Sequence, residues 1–191
     1  MRGWIAAAVV FLITSSHMAT CPSNYFQNAQ YSLPPSYRPV AVNSKRGAIT
    51  VGPVDCSDSF TLNAGKYTFP KQTNPNYGVF FDRVQYADVN ADGQQEAIVS
   101  LDWEVGGGIL SELLLYIYDC SGVAPRLLFS AAFEEGADIA VKEGRVVLAA
   151  PVWRSDDPHC CPSYEASIAL RHDSGGFTFE VTALEKLQRP N

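Results

Sequence analysis

In "YADVNADGQQEAIVSL" (86–101), Asp88, Asn90 and Asp92 stand at alternate positions, Gly93 follows, and Glu96 completes a D-x-N-x-D-G-x-x-E pattern. Oxygen-bearing side chains at positions 1, 3 and 5 of a tight loop converge on one point. Ca²⁺ takes about six to eight such hard oxygens at roughly 2.3–2.6 Å. Gly93 permits the sharp turn, and the main-chain carbonyl of Gln94 is placed as the next donor. An EF-hand needs a bidentate Glu at position 12, where this chain has Val99. Asp88, Asn90, Asp92, Gln94 and Glu96 therefore form the candidate ligand set, for a structural Ca²⁺ in a loop between two strands. The same residue types also make Asx-turns in a solvated hairpin loop, so the pattern alone leaves two readings.

Other reactive residue types are sparser. Asp102 and Glu104 fall on one face of a strand and offer a carboxylate pair for hydrolysis. Alternating acids are equally what a solvated strand face carries. His159 beside Cys160 suggests a thiol nucleophile and its base, but an oxidised cysteine in an exported chain removes that chemistry. His172 lies near a hairpin turn and reads as exposed. No nucleophile elbow, phosphate loop or dinucleotide fingerprint occurs. No catalytic residue is assigned.

The elements that must position these residues read as short strands. "EAIVSLDWEV" puts Ala97, Val99, Leu101 and Trp103 on one face and Glu96, Ser100, Asp102 and Glu104 mostly on the other, the period-two pattern of a sheet with one wet face. "SELLLYIYD" is apolar on both faces and belongs inside a sheet. Turns are expected at Asn63-Ala64-Gly65, Ser121-Gly122, Glu143-Gly144 and Ser174-Gly175-Gly176. Beyond residue 20 no segment has a 3.6 period. The fold expected is mainly β: an antiparallel up-and-down meander of about seven or more strands, curled or sandwich-like, with little helix.

The first twenty residues stand apart from that domain. Met1-Arg2 is a positive start, residues 3–13 are an apolar run too short to span a bilayer comfortably, and "TSSHMAT" is small and polar. This is the layout of a secretory signal, so the mature chain is expected outside the cytoplasm, periplasmic or secreted, with no membrane span. Cys21 stands where a bacterial lipoprotein carries its lipid, but Thr20 and Met18 depart from the usual residues before such a cysteine, and ordinary cleavage near residues 16–20 is the favoured reading. Residues 21–46 read as an extended leader rich in Pro, Ser and Asn, packed against the domain or trailing from it, residues 47–185 as one β-rich domain, and residues 186–191 as a frayed end.

Export favours disulfides for the five cysteines. The neighbours Cys160 and Cys161 are expected to bridge to different elements, since a ring between adjacent cysteines is strained. Cys56 and Cys120 are the available partners, which leaves Cys21 over. With 14 Lys and Arg against 20 Asp and Glu, the net charge of -6 and the lack of a basic cluster argue against nucleic acid and anionic membrane as partners.

The Ca²⁺-type loop, the following "VGGG" (105–108) and the later "DPHCCPSYEASIAL" (157–170) together resemble a broad group of uncharacterised exported bacterial proteins, many of them lipoproteins. These carry an FG-GAP or VCBS-like loop and a C-C-P-[ST] motif. The similarity covers about residues 55 to 180, with Ala87 where the group usually has Gly. The resemblance implies export and a β-rich fold and brings no activity with it. Aromatic-rich strands, including Trp103, Tyr116, Tyr118 and Trp153, suit a non-enzymatic domain that binds an envelope protein or a glycan. The alternative is a secreted hydrolase using Asp102 and Glu104.

Overall fold

The computed structural model describes residues 21–34, 40–44, 47–51, 59–69, 77–105, 110–133, 136–154, 156–157 and 161–187. One helical turn, α1 (Ser23–Phe26), precedes the strands β1 (Gln30–Ser32), β2 (Val40–Ser44), β3 (Gly47–Val51), β4 (Ser59–Thr61), β5 (Lys66–Thr68), β6 (Gly78–Ala87) and β7 (Glu96–Val105). There follow β8 (Leu110–Asp119), β9 (Arg126–Phe133), β10 (Asp138–Lys142), β11 (Arg145–Val152), β12 (Tyr164–Asp173) and β13 (Gly176–Lys186). The molecule is almost entirely β, as the alternation implies. All pairing is antiparallel.

Strand order follows chain order, but the meander divides between β9 and β10. Strands β5 to β9 form one five-stranded sheet and β10 to β13 a second sheet of four, neither closed into a barrel. β2 pairs with β3, and β1 with β4, as separate two-stranded ribbons. The turns expected at residues 63–65 and 143–144 both form. Ala64 and Gly65 have φ of 50° and 81°, and Glu143 and Gly144 of 52° and 73°, the left-handed pair that a type I′ turn needs. At the first turn the flanking strands part company: Asn63 and Lys66 exchange backbone hydrogen bonds, then β4 goes to β1 and β5 to β6.

The five-stranded sheet is covered on both faces. One face presents Val79, Ala97, Val99, Leu101, Trp103, Leu114, Tyr116 and Tyr118 to Phe26, Tyr31, Phe60, Leu62 and Phe69 from the N-terminal segments. The other presents Ile98, Leu113, Leu115 and Ile117 to Ile139, Val146, Leu148 and Leu170 of the four-stranded sheet. This corrects the expected wet face of β7: the second sheet lies over it, so Glu96 and Ser100 are buried and Asp102 and Glu104 half-buried. Trp103, Tyr116 and Tyr118 are likewise core residues rather than surface aromatics, because the N-terminal segment packs on them; Trp153 is half-buried.

The stretch read as a leader is thus, as far as Leu33, part of the core. Tyr31 is buried, stacks near Phe60 and Tyr116, and its hydroxyl donates to the Phe26 carbonyl at 2.6 Å. Tyr116 donates to the Ser32 carbonyl at 2.9 Å, fixing the segment on β8. Burial holds the phenols of Tyr31, Tyr116 and Tyr118 well above the ordinary range, so all three stay neutral, Tyr31 and Tyr116 as donors.

Cys21 is not left over. It forms a disulfide with Cys120, just past β8, across a sequence separation of 99. The segment that lays α1 and β1 over the sheet also carries Cys21 to the end of β8. Cys161 is disulfide-bonded too, while Cys56, Cys160, His159, the signal-like residues 1–20 and residues 188–191 lie outside the described residues.

Truncating the Tyr31 hydroxyl tests how the segment is held. Tyr31→Phe keeps the ring and leaves the Phe26 carbonyl without its donor, which costs about 1–2 kcal/mol. The urea midpoint should fall accordingly with an unchanged slope.

Candidate metal loop

β6 and β7 are joined by residues 88–95, and the ladder that closes on the Ala87–Glu96 pair sets where the loop begins. The Asp88 carboxylate spans the loop, accepting the N–H of Asp92 at 3.1 Å and that of Gly93 at 2.9 Å. Asn90 Oδ1 accepts the Asp92 N–H at 2.9 Å, and Asp92 Oδ1 accepts the Gln94 N–H at 2.8 Å. These are Asx-turns in series. The chain reverses with Ala91 at φ 61° and Gly93 at φ 87°.

Glu96 differs from the other members. It is the first residue of β7 and is 1% exposed. Its Oε2 accepts the Val89 N–H at 2.9 Å and its Oε1 accepts Asn90 Nδ2 at 3.1 Å; the same Asn90 nitrogen reaches Asp92 Oδ2 at 3.0 Å. Burial foremost, with Asp92 and Asp88 adding repulsion against the opposing Val89 bond, raises the Glu96 carboxyl above its usual range. None of the loop's three carboxylates is ion-paired with a Lys, Arg or His among the described residues.

The five sequence-predicted ligands are therefore gathered in one loop, with Asp88 and Asn90 half-buried, Asp92 and Gln94 exposed, and Glu96 inside. Their oxygens are of the kind Ca²⁺ takes, and each carboxylate oxygen that accepts one N–H keeps a second lone pair. As arranged, the Asn90 Nδ2 group bridges the carboxylates of Asp92 and Glu96. No three His, Cys, Asp or Glu among the described residues stand together as a metal cage. The donor set fits the ion in its chemistry, all of it hard oxygen. No family model, curated protein or solved structure matches the chain.

The second group of acids lies at the other end of β7. A bulge between Phe81 and Arg83 leaves Asp82 outside the β6–β7 register. Asp82 Oδ2 accepts the buried Ser100 hydroxyl at 2.7 Å and Arg83 Nε at 2.8 Å, while Arg83 Nη2 reaches Asp138 Oδ1 of β10 at 2.6 Å. Burial, then Asp82 and Glu104, raise the Asp102 carboxyl, with Arg83 opposing. Sequence reasoning found Asp102 and Glu104 but missed Asp82 and Ser100. A bulge has no signal in "FFDRVQ", and Ser100 reads as a solvated position until the second sheet covers it. His172 is exposed, its ring 4.7 Å from that of Phe177.

Two outcomes follow. Ala91→Gly removes the strain of a left-handed Ala and should raise stability by about 1 kcal/mol in urea titration. For Asp102 the folded state raises the pKa above the ordinary 3.8, so the fold favours the neutral acid. Its contribution is full below about 3.8 and is lost as pH climbs through the raised folded value. Asp102→Asn, neutral throughout, should flatten that decline in urea midpoints measured upward from pH 3.5, and should be the more stable protein at neutral pH.

Proposed function

We propose that this chain is an extracytoplasmic, non-enzymatic β-domain that takes one Ca²⁺ at Asp88, Asn90, Asp92, Gln94 and Glu96 and binds an envelope macromolecule or glycan. The observation that carries the metal is the Glu96 carboxylate, fully buried beside Asp88 and Asp92 with no cationic side chain paired to it among the described residues. A buried charge of this kind is costly unless compensated, and a divalent ion supplies compensation for all three acids at once. The ion's role is structural: it ties the start of β7 to the hairpin tip and supplies no reaction.

Support for the binding role no longer comes from Trp103, Tyr116 and Tyr118. It comes from β13, where Phe179, Val181 and Leu184 are exposed at 40%, 63% and 58%. They pair with Leu170, Ile168 and Ala166, so they lie on the inward face of the four-stranded sheet. Phe179 touches Phe129 and Phe133 of β9, and farther along β13 Val181 and Leu184 stay exposed. An envelope protein suits this apolar strip better than a glycan does.

Calorimetry with Ca²⁺, and melting with and without chelator, test the metal. The expected result is saturable binding with a dissociation constant of about 10⁻⁴–10⁻³ M, a higher melting temperature at millimolar Ca²⁺, and loss of both in Asp92→Ala. No heat and no melting shift in the wild-type chain would sink the calcium reading. A pull-down from envelope extract, compared with Val181→Glu, tests the strip.

A second reading, a secreted hydrolase, draws on one observation: Asp102 is half-buried beside Asp82 and Glu104 with a raised pKa. Turnover of a glycan panel by the wild-type chain that disappears in Asp102→Asn would favour it over the binding module.

A further inference from the structure

We propose that Cys21 is a structural half-cystine of the exported core and, for that reason, not a site of lipid attachment. The inference rests on the export reading above and adds the fate of one atom to it. Cys21 Sγ is bonded to Cys120 Sγ, with the two Cα atoms 5.4 Å apart. Both residues are buried, at 7% and 3% exposure, within the aromatic cluster that includes Phe26 and Tyr118. The Cys21 carbonyl accepts the Tyr86 hydroxyl, and the next residue's carbonyl accepts the Tyr25 N–H that opens α1. Sulfur and backbone of Cys21 are thus both committed to the fold.

One sulfur forms one such bond. Lipidation joins a diacylglyceryl group to Sγ as a thioether and draws that sulfur to the membrane surface. It would leave Cys120 as a buried, unpaired thiol and pull Cys21 from the face it covers. Disulfide formation is the competing route. The two thiols give up two electrons and two protons to a protein disulfide of the exporting compartment, which leaves as a dithiol. Thr20 and Met18 depart from the residues that lipid attachment favours, an independent observation in the same direction. With its sulfur in the bridge to Cys120, Cys21 has no thiol left to carry a lipid.

The full-length chain, expressed in a bacterial host that both exports and lipidates, is labelled with a palmitate analogue. It is then fractionated, partitioned in detergent, and digested without reduction for peptide mass analysis. The expected result is a Cys21–Cys120 cross-linked peptide two hydrogens lighter than the sum of its thiol peptides. Label should be at background, and the chain should stay in the aqueous phase of the extracytoplasmic fraction. Label on the exported chain that is lost in Cys21→Ser, with Cys120 open to alkylation, overturns the inference and leaves export standing. An exported, unlabelled chain with both thiols open to alkylation overturns it as well. A chain retained in the cytoplasm with both thiols free overturns the export reading together with this one.

Discussion

Strand β8 is apolar on both faces and its neighbour β7 on one, and the segments packed around them keep water from both. Ala97, Val99, Leu101 and Trp103 alternate with Ile98 and Ser100 along β7, and Leu113 to Tyr118 run without a polar break along β8. A strand pair of this kind needs two covers, since each exposed Leu, Ile or aromatic forfeits about 1.5–3 kcal/mol of burial. The N-terminal segment supplies one cover and the four-stranded sheet the other.

The two covers are secured differently. The second sheet is itself a four-stranded meander and meets the first over aliphatic side chains and a cluster of Phe129, Phe133, Phe177 and Phe179. The N-terminal cover has only one helical turn and short strand pairings, so it leans on Tyr31, on the Tyr86 and Tyr116 hydroxyls and on the Cys21–Cys120 bridge. Every member of the aromatic cluster lies between those two cysteines in the chain. A cross-link that closes a loop of this length restricts the unfolded chain by roughly 4–5 kcal/mol on the entropic account, and it does so for the half of the core with the least regular structure.

Double cover also explains the hairpin loop. Glu96 begins β7, and once the second sheet and the loop fold over it, its carboxylate is removed from water. In an open sheet the same residue would stand in solvent and need no partner. The neighbouring Asp119, at the end of β8, shows the contrast. The Ser121 hydroxyl and N–H, then Arg126, lower it to about 2, so its charge is satisfied locally. Glu96 has N–H donors but two carboxylates, Asp92 and Asp88, for neighbours.

Local rules settled what local residues control. Period-two alternation, turn pairs such as Glu143-Gly144 and the D-x-N-x-D-G-x-x-E spacing specify strands, hairpins and a loop with its oxygens gathered, because each depends on residues within a few positions of one another. The doubly apolar β8 was legible as an interior strand for the same reason. Which face of β7 stays wet, whether Trp103 and Tyr116 are surface or core, and whether Asp82 joins Asp102 depend on segments tens of residues away and on one unmarked bulge. The partner of Cys21 depends on them too, since counting cysteines cannot say that α1 and β1 will lie across β8. The sequence by itself determined the strands and the chemistry available in the loop; the tertiary structure alone decided what was buried, because burial is a property of two surfaces meeting and no single strand contains both.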